Sequence, residues 1–186
     1  FNGTDTVNAA AGNDKILGGS GVDTINGGDN NDHIYGYAGA DILSGDADDD
    51  KILGGLDNDT IRGGAGNDDL RGEAGDDTIY AGSGTDTVTG GLGDDTITIN
   101  GAGDKTIDGG PGSDTLTISY GSISSLDDFT IGRSGDYTSF TDGDGNQVLF
   151  KNIETLTIGG ISYVGVYDGI ATTGSATLNT SGNYSD

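Results

Sequence analysis

The sequence predicts an all-β solenoid, a fold in which short strands stack in successive coils, and three observations lead to this prediction. A nine-residue pattern, GGxGxDxUx with U a large aliphatic residue, returns through the first two thirds of the 186 residues. An aspartate holds the sixth position of eleven consecutive repeats, and a branched aliphatic residue holds the eighth position of all thirteen. The 38 glycines and a hydrophobic content of only 31% argue against an ordinary globular core. Self-similarity at a fixed period is typical of stacked repeats.

The sixth position of the repeat supplies the candidate site residues. They form two groups because two repeats make one coil, so that the turns of alternate repeats lie on the same edge of the solenoid. The first edge carries Asp5, Asp23, Asp41, Asp59, Asp77, Asp95 and, after one inserted residue that we place at Ile99, Asp114. The second edge carries Asp14, Asp32, Asp50, Asp68 and Asp86, and it ends at Lys105, which stands where the next acid belongs.

The other positions predict turns and strands. Position four is always Gly, Asn or Asp, the residues that tolerate a left-handed backbone, so we expect a turn in every repeat. Position two admits Tyr37, Asp46 and Glu73, which indicates a less demanding backbone there. The last three residues of each repeat form a minimal strand whose position eight points inward. Such repeats give about six coils, a rod of roughly 30 Å at the ~4.8 Å spacing of strands.

These repeats resemble those of the repeats-in-toxin family, whose nonapeptide has the same pattern. Residues 18–26 (GGSGVDTIN), 63–71 (GGAGNDDLR) and 90–98 (GGLGDDTIT) match it closely, and the resemblance covers residues 2–117. One nonapeptide would be weak evidence, but a dozen in register are highly specific. The resemblance implies a right-handed parallel β-roll that binds calcium, and export of the chain by a bacterial type I secretion system.

The spacing of the aspartates favours calcium on chemical grounds as well. Carboxylates stacked about 5 Å apart repel each other by about 1 kcal/mol or more. A divalent cation between them attracts both and makes the stacking favourable. Calcium accepts six to eight oxygens, including the backbone carbonyls of glycine-rich turns, whereas magnesium requires a tighter octahedron and zinc favours His or Cys. Adjacent aspartates leave six gaps on the first edge and four on the second. We therefore expect about ten calcium ions.

The charge of the repeats agrees with this interpretation. Residues 1–117 hold 23 acids and five bases, a formal charge of −18 that ten calcium ions nearly neutralise. Lys105 is expected to place its ammonium beside Asp86 and to substitute for a further ion. Two alternatives are a disordered acidic tract and a metal-free solenoid whose acids only add solubility. Disorder does not require an aliphatic residue two positions after each acid, and like charges stacked on one edge destabilise a metal-free solenoid.

Composition argues against several other classes of function. Seven Lys and Arg against 31 acids leave no basic surface for nucleic acid. No apolar run reaches the ~18 residues of a membrane span, and no signal peptide is visible. Cysteine is absent and the one histidine, His33, is expected to face outward, so neither a catalytic triad nor an enzyme is expected. Phe1 begins partway through a repeat, which indicates a fragment.

The nine-residue period ends at Ile118, and we divide the chain into a roll (1–117), a β-rich cap (118–167) and a flexible tail or linker (168–186). An open solenoid end exposes its apolar interior, and the aromatic residues of this segment are suited to cover it. The segment FKNIETLTIGG at 150–160 resembles a strand that often follows such rolls.

Short strands are predicted in the cap by its apolar clusters. These clusters lie at residues 129–131, 148–150, 153–158 and 161–166. The DGDGNQ segment at 142–147 faintly resembles an EF-hand loop, but Ile153 occupies the twelfth position where that loop needs an acid. We interpret the segment as a hairpin turn.

The outward positions differ between the two walls. Position seven on the wall of Asp5 is threonine in six of seven repeats, a file that would suit ice binding or self-association. We favour the simpler explanation, the β-propensity of threonine on an exposed strand, because Arg62 and Tyr80 interrupt any flat array.

The main functional hypothesis is a calcium-folded structural module of a secreted bacterial surface protein, of the adhesin or surface-layer type. Metal binding would supply the free energy of folding, and the module would act outside the cell, where calcium is abundant. Self-association and a cell-surface partner stay open. The alternative is the C-terminal secretion and folding module of an exoenzyme or toxin exported by type I secretion.

Overall fold

The computed structural model describes residues 2–164, and the regular elements in that range are strands with one exception. The strands of the repeats are β1 (Thr6–Asn8), β2 (Lys15–Ser20), β3 (Thr24–Asp29), β4 (His33–Ala38), β5 (Ile42–Ala47), β6 (Lys51–Leu56), β7 (Thr60–Ala65), β8 (Asp69–Ala74), β9 (Thr78–Ser83), β10 (Asp86–Leu92), β11 (Thr96–Ile99), β12 (Lys105–Asp108) and β13 (Thr115–Ile118). The later strands are β14 (Thr130–Ser134), β15 (Tyr137–Thr141), β16 (Gln147–Lys151), β17 (Thr155–Ile158) and β18 (Ile161–Val164). The exception is a 3₁₀ turn, Leu126–Asp128, and the predicted all-β class is confirmed.

Odd and even strands separate into two sheets, as expected for two repeats per coil. One sheet has the order β1-β3-β5-β7-β9-β11-β13-β17-β18, and the other has the order β14-β15-β16-β12-β10-β8-β6-β4-β2. Neighbouring strands of the repeats pair in parallel, with Thr24 opposite Ile42 and, beyond the insertion, Thr96 opposite Thr115. The predicted parallel β-roll is therefore confirmed.

Position eight forms the core between the two sheets. Each of these side chains from Ile25 to Leu116 has 1% or less of its surface exposed. Side chains alternate across a strand, so positions seven and nine face outward, and His33 is exposed at the start of β4 as predicted. The aliphatic side chains, stacked in register, keep water out of the interior.

Two details of the repeat differ from the sequence prediction. The central strands have six residues instead of three, because positions one to three of the next repeat also pair between coils, as Gly28 and Asp46 do. Position two is as demanding as position four, since Tyr37, Asp46 and Glu73 each have a φ of 78°, in the left-handed region. Their side chains are exposed, so this position accepts a side chain but requires an unusual backbone.

The left-handed turn predicted at position four is present in twelve of the thirteen repeats. Asn30, Asp48 and Asp57 have φ between 73° and 77°, and every glycine there except Gly112 has a positive φ. The inserted residue lies later than predicted. Ile99 is the last residue of β11 and is fully buried, so the register changes after it, where no buried side chain has to shift.

The chain makes one further coil after Ile118 and then closes the end of the roll. β16 pairs in parallel with β12 and β17 with β13, placing Phe150 opposite Ile107 and Leu156 opposite Leu116. β15 and β14 then add to β16, and β18 adds to β17, all antiparallel. Both sheets thus end in antiparallel strands.

The cap contains a strand that the sequence analysis did not predict, β15. Its Phe140 packs with Phe129 at a ring-centroid distance of 5.2 Å and with Phe150 at 5.0 Å. Residues 142–146 join β15 to the antiparallel β16, and the N–H of Asp142 donates to the carbonyl of Asn146. The hairpin interpretation of DGDGNQ is confirmed.

Part of the predicted C-terminal organisation falls outside the described residues, namely the tail at 168–186 and the last residues of the cap, 165–167. Among residues 2–164, no helix has the length and apolar character needed to cross a membrane.

Ile61→Ala is expected to lower the free energy of unfolding by about 2–5 kcal/mol, because Ile61 is completely buried in the position-eight core. Ile42→Ala removes the same atoms from an outward position that is 45% exposed, and it should cost about 0.5 kcal/mol or less. Denaturant unfolding in saturating calcium measures both values. Equal losses in the two variants would contradict the inward assignment of position eight.

Candidate metal-binding edges

The aspartates of both edges lie in the turns and point into the roll. Ten of the twelve, from Asp23 onward, have 3% or less of their surface exposed. Asp5 and Asp14, in the first coil, are partly exposed. Position six is on the same inward face as position eight because side chains alternate along the chain. From Asp23 onward, each turn except that of Lys105 therefore buries a carboxyl group beside the aliphatic core.

One carboxylate oxygen of the ten aspartates from Asp23 to Asp114 accepts the N–H of the aspartate one coil earlier, which holds neighbouring coils together. The N–H of Asp5 donates to Oδ1 of Asp23 at 2.8 Å, and the same bond joins Asp41 to Asp59 at 2.7 Å. The second edge repeats it, and the first edge continues it across the insertion, where the N–H of Asp95 donates to Oδ1 of Asp114 at 2.9 Å. The structure thus brings together the residues that the sequence assigned to each edge.

The other oxygen of these carboxylates lacks a hydrogen bond. Within residues 2–164, Oδ2 is buried and accepts no hydrogen bond in eleven of the twelve aspartates, the exception being Asp14. One of the eleven, Oδ2 of Asp86, lies 3.2 Å from the ammonium of Lys105. Leaving a buried carboxylate oxygen without a partner is unfavourable, because it loses its interaction with water and gains nothing in return. A row of such oxygens on each edge calls for a cation or for protons.

Glycine at position one leaves open space beside these oxygens. A methyl group on Gly18 would lie 2.7 Å from Oδ2 of Asp23 and 2.8 Å from the carbonyl oxygen of Gly36 in the next coil. A methyl group on Gly36 would lie 2.5 Å from Oδ2 of Asp41. A carboxylate oxygen and a backbone carbonyl oxygen from the neighbouring coil therefore border the same small space, which the lack of a side chain at these glycines keeps free. In two repeats position one is alanine instead, at Ala9 and Ala81.

Burial raises the pKa of the central aspartates. The pKa of Asp50 and Asp59 rises to about 7, because loss of water disfavours the charged form and the neighbouring carboxylates of the same edge repel it. Burial also raises the pKa of Asp68, Asp77 and Asp95 to about 6. The hydrogen bond at Oδ1 opposes the shift in each case but does not cancel it.

The donors on these edges fit a hard cation. Within residues 2–164, no group of three or more His, Cys, Asp or Glu side chains converges as a metal cluster. The remaining ligands would have to be backbone carbonyls, such as the one of Gly36 beside Asp23. Calcium accepts mixtures of carboxylate and carbonyl oxygens, whereas zinc favours nitrogen and sulfur. The residues present therefore fit calcium.

The side chain of Lys105 places a positive charge beside the buried carboxylate of Asp86. Its side chain is completely buried, and Nζ lies 3.2 Å from Oδ2 of Asp86. Nζ also donates to the carbonyl oxygen of Gly84 at 2.5 Å and to those of Ala102 and Gly103 at 3.3 Å. The ammonium lies beside Asp86, as the sequence predicted. It is surrounded by one carboxylate oxygen and three turn carbonyls, the donor types expected for a cation on these edges.

The fold places one further acid on the first edge, Glu154, which was not among the residues predicted from the repeat. The N–H of Asp114 donates to Oε2 of Glu154 at 2.6 Å, in the manner of the aspartates before it. Forty residues separate the two positions, so the nine-residue period does not reveal the relationship. A weaker signal is present, because Leu156 follows Glu154 by two residues, the spacing of acid and aliphatic residue in every repeat.

Comparison with known families agrees with this geometry. The family model described as the RTX calcium-binding nonapeptide repeat matches the chain in four copies, at residues 1–34, 26–61, 62–97 and 101–117. No curated protein matches the chain. The matched segments contain all twelve aspartates of the two edges, and they do not reach Glu154.

Lys105→Gln is expected to lower the free energy of unfolding by about 3–5 kcal/mol, because it leaves Asp86 buried without a counter-ion. Lys151→Gln is the matched control. Lys151 pairs with Asp108 at a partly exposed position, and losing such a pair costs about 1 kcal/mol or less. Urea unfolding in calcium measures both. A cation refined between Asp86 and Lys105 in a crystal of the unmodified protein would contradict the role assigned to the ammonium.

In calcium-free solution, lowering the pH from 8 to 5 is expected to favour the roll. The folded-state pKa of Asp50 and Asp59 is about 7, against about 3.9 for aspartate in an unfolded chain. The folded state therefore binds more protons between these values, and its stability is lost as the pH rises through the folded-state pKa. Circular dichroism after removal of calcium measures the strand content. A signal that does not increase towards pH 5 would contradict the burial of uncompensated carboxylates.

Proposed function

The chain belongs to the RTX calcium-binding nonapeptide-repeat family, and from this premise we propose that it is the calcium-folded structural module of a secreted bacterial surface protein. The family establishes a calcium-binding β-roll. Three further parts are our proposal: the residues that hold the ions, the number of ions, and the role of the module outside the cell.

The observation that supports the ligand assignment is the row of buried Oδ2 atoms without hydrogen bonds. We assign calcium to the spaces between successive position-six side chains on each edge. The proposed ligands are the aspartates of the two edges: Asp5, Asp14, Asp23, Asp32, Asp41, Asp50, Asp59, Asp68, Asp77, Asp86, Asp95 and Asp114. Turn carbonyls would complete the coordination, since calcium takes six to eight oxygens.

We propose about ten ions for these twelve aspartates, six on the first edge and four on the second. Asp86 and Lys105 need none, because the ammonium already lies 3.2 Å from Oδ2 of Asp86. A bound calcium ion supplies positive charge to oxygens that would otherwise be buried without a partner. The −18 charge of residues 1–117 is then nearly balanced.

Folding would therefore depend on the metal. Without calcium, repulsion between the acids and the desolvation of their carboxylates oppose stacking of the coils. With calcium, the binding free energy becomes folding free energy. Extracellular calcium modules work at roughly 10⁻⁴ to 10⁻³ M calcium. The chain would therefore stay unfolded at the low calcium concentration inside the cell and fold at the higher concentration outside it after export.

The form of the roll supports a structural role over a catalytic one. In the described part of the chain, His33 is exposed on an outer face, and the aligned carboxylates already have a role in holding metal. An array of thirteen repeats with a single inserted residue builds a long stiff element, which suits an adhesin or surface-layer protein. In such a solenoid each repeat contacts only its neighbouring repeats, so adding repeats lengthens the element without requiring a larger core.

A calcium titration of the intact chain tests the proposal. Circular dichroism should change from an unfolded to a β signal as calcium is added, and native mass spectrometry should count about ten ions in the folded state. Magnesium at the same concentration should not produce the change, because it gives up its water reluctantly. A roll that persists after calcium removal at pH 8 would overturn the proposal.

Asp59→Asn is expected to weaken calcium binding at the two gaps that Asp59 borders, because an uncharged amide replaces a carboxylate that faces both neighbours. Asp29→Asn is the matched control, since Asp29 is exposed and lies at position three. Native mass spectrometry at limiting calcium should show about two fewer ions for the first variant and the unmodified number for the second. Equal losses would indicate that net charge alone controls binding.

A further inference from the structure

The first edge does not end at Asp114, because β17 continues the roll in the same register. Thr155 lies opposite Thr115, and Leu156 lies opposite Leu116. This places Glu154 one coil beyond Asp114, at position six of the repeat. The side chain of Leu156 is completely buried, like the position-eight side chains from Ile25 to Leu116, which are 1% exposed or less.

Glu154 also makes the backbone contacts of an edge aspartate. The N–H of Asp114 donates to Oε2 of Glu154 at 2.6 Å, as the N–H of Asp95 donates to Oδ1 of Asp114. In return, the N–H of Thr155 donates to the carbonyl oxygen of Asp114 at 3.0 Å, and Thr115 makes the same bond to Asp95 at 2.8 Å. The hydrogen-bond pattern of the roll therefore extends across the connection between β13 and β17.

The space between these two acids contains an unpartnered oxygen. Asp114 is 0% exposed, and its Oδ2 is buried and accepts no hydrogen bond. A methyl group on Gly109 would lie 2.6 Å from this Oδ2 and would also overlap the carbonyl oxygen of Asn152 in the next coil. The same combination of a free Oδ2, a glycine and a carbonyl from the next coil occurs at Gly18 with Asp23 and Gly36.

The second edge ends differently. Lys105 there supplies a buried ammonium to Asp86, and the residue opposite Lys105 in β16 is the apolar Val148. An acid is therefore not a general requirement of the last coil. The acid is found on the edge whose last aspartate has a free oxygen and lacks an ammonium beside it.

We propose that Asp114 and Glu154 form an additional site for a divalent cation, namely calcium. The inference rests on the proposed function, since it assigns the same ion to a place outside the nonapeptide repeats. The ligands are Oδ2 of Asp114, the carboxylate of Glu154 and backbone carbonyls of the adjoining turn. Because Glu154 lies between β16 and β17, directly before Thr155, this ion joins the C-terminal segment to the last coil of repeats.

Native mass spectrometry of the intact chain in calcium tests the site with two variants of equal charge. Glu154→Gln keeps an acceptor for the N–H of Asp114 but removes the charge, and it should bind one ion fewer than the unmodified protein. Glu73→Gln removes the same charge from an exposed position on an outer face, and it should bind the unmodified number. Hydrogen exchange should show faster exchange in Thr155–Ile158 of the first variant, with β2 to β10 unchanged.

The outcomes separate this inference from the proposed function. A chain that binds no calcium overturns both. A Glu154→Gln variant that folds, binds the full number of ions and keeps its protection in β17 overturns only the additional site. If Glu154→Gln does not fold, Glu154→Asp decides, because it keeps the charge on a shorter side chain. One ion should then bind at least tenfold more weakly, and unchanged affinity for every ion would overturn the site.

Discussion

The fold depends on a carboxyl group that lies in twelve of the thirteen turns and is buried from Asp23 onward. One oxygen of that group accepts the backbone N–H of the preceding coil, and the other faces a space lined by a backbone carbonyl from the next coil. The first interaction fixes the register between coils. Burial of the second oxygen without a hydrogen bond is unfavourable unless a positive charge lies beside it. The geometry that stacks the coils therefore also creates the demand for cations.

This constraint explains the glycine content better than turn formation alone does. Position four is glycine, asparagine or aspartate for its left-handed backbone, and position two has the same requirement while accepting Tyr37 and Glu73. Most repeats have glycine at position one for a different reason, since a methyl group on Gly36 would meet Oδ2 of Asp41. Glycine is thus favoured at positions two and four by the backbone conformation, and at position one by the space beside the carboxylate.

The two edges end in ways that match their charge. On the second edge, Lys105 places an ammonium among the carbonyls of Gly84, Ala102 and Gly103, and the following residue in the stack is Val148. On the first edge, the acidic series continues to Glu154, beyond the last repeat. The segment after Ile118 therefore continues both edges, because it supplies Val148 opposite Lys105 and Glu154 beyond Asp114.

Much of this architecture was determined by the sequence itself. The position-eight aliphatic residues, the grouping of the aspartates into two edges and the place of Lys105 beside Asp86 all follow from a period of nine, because stacking at a fixed interval allows only one register. Three features required the tertiary structure. The left-handed backbone at Tyr37 depends on pairing between coils, the strand β15 forms through its partners in the cap, and Glu154 reaches Asp114 across forty residues of non-repeating chain. The first depends on backbone geometry that the tolerance for side chains at position two hides, and the other two arise from contacts of segments that lie outside the nine-residue repeat.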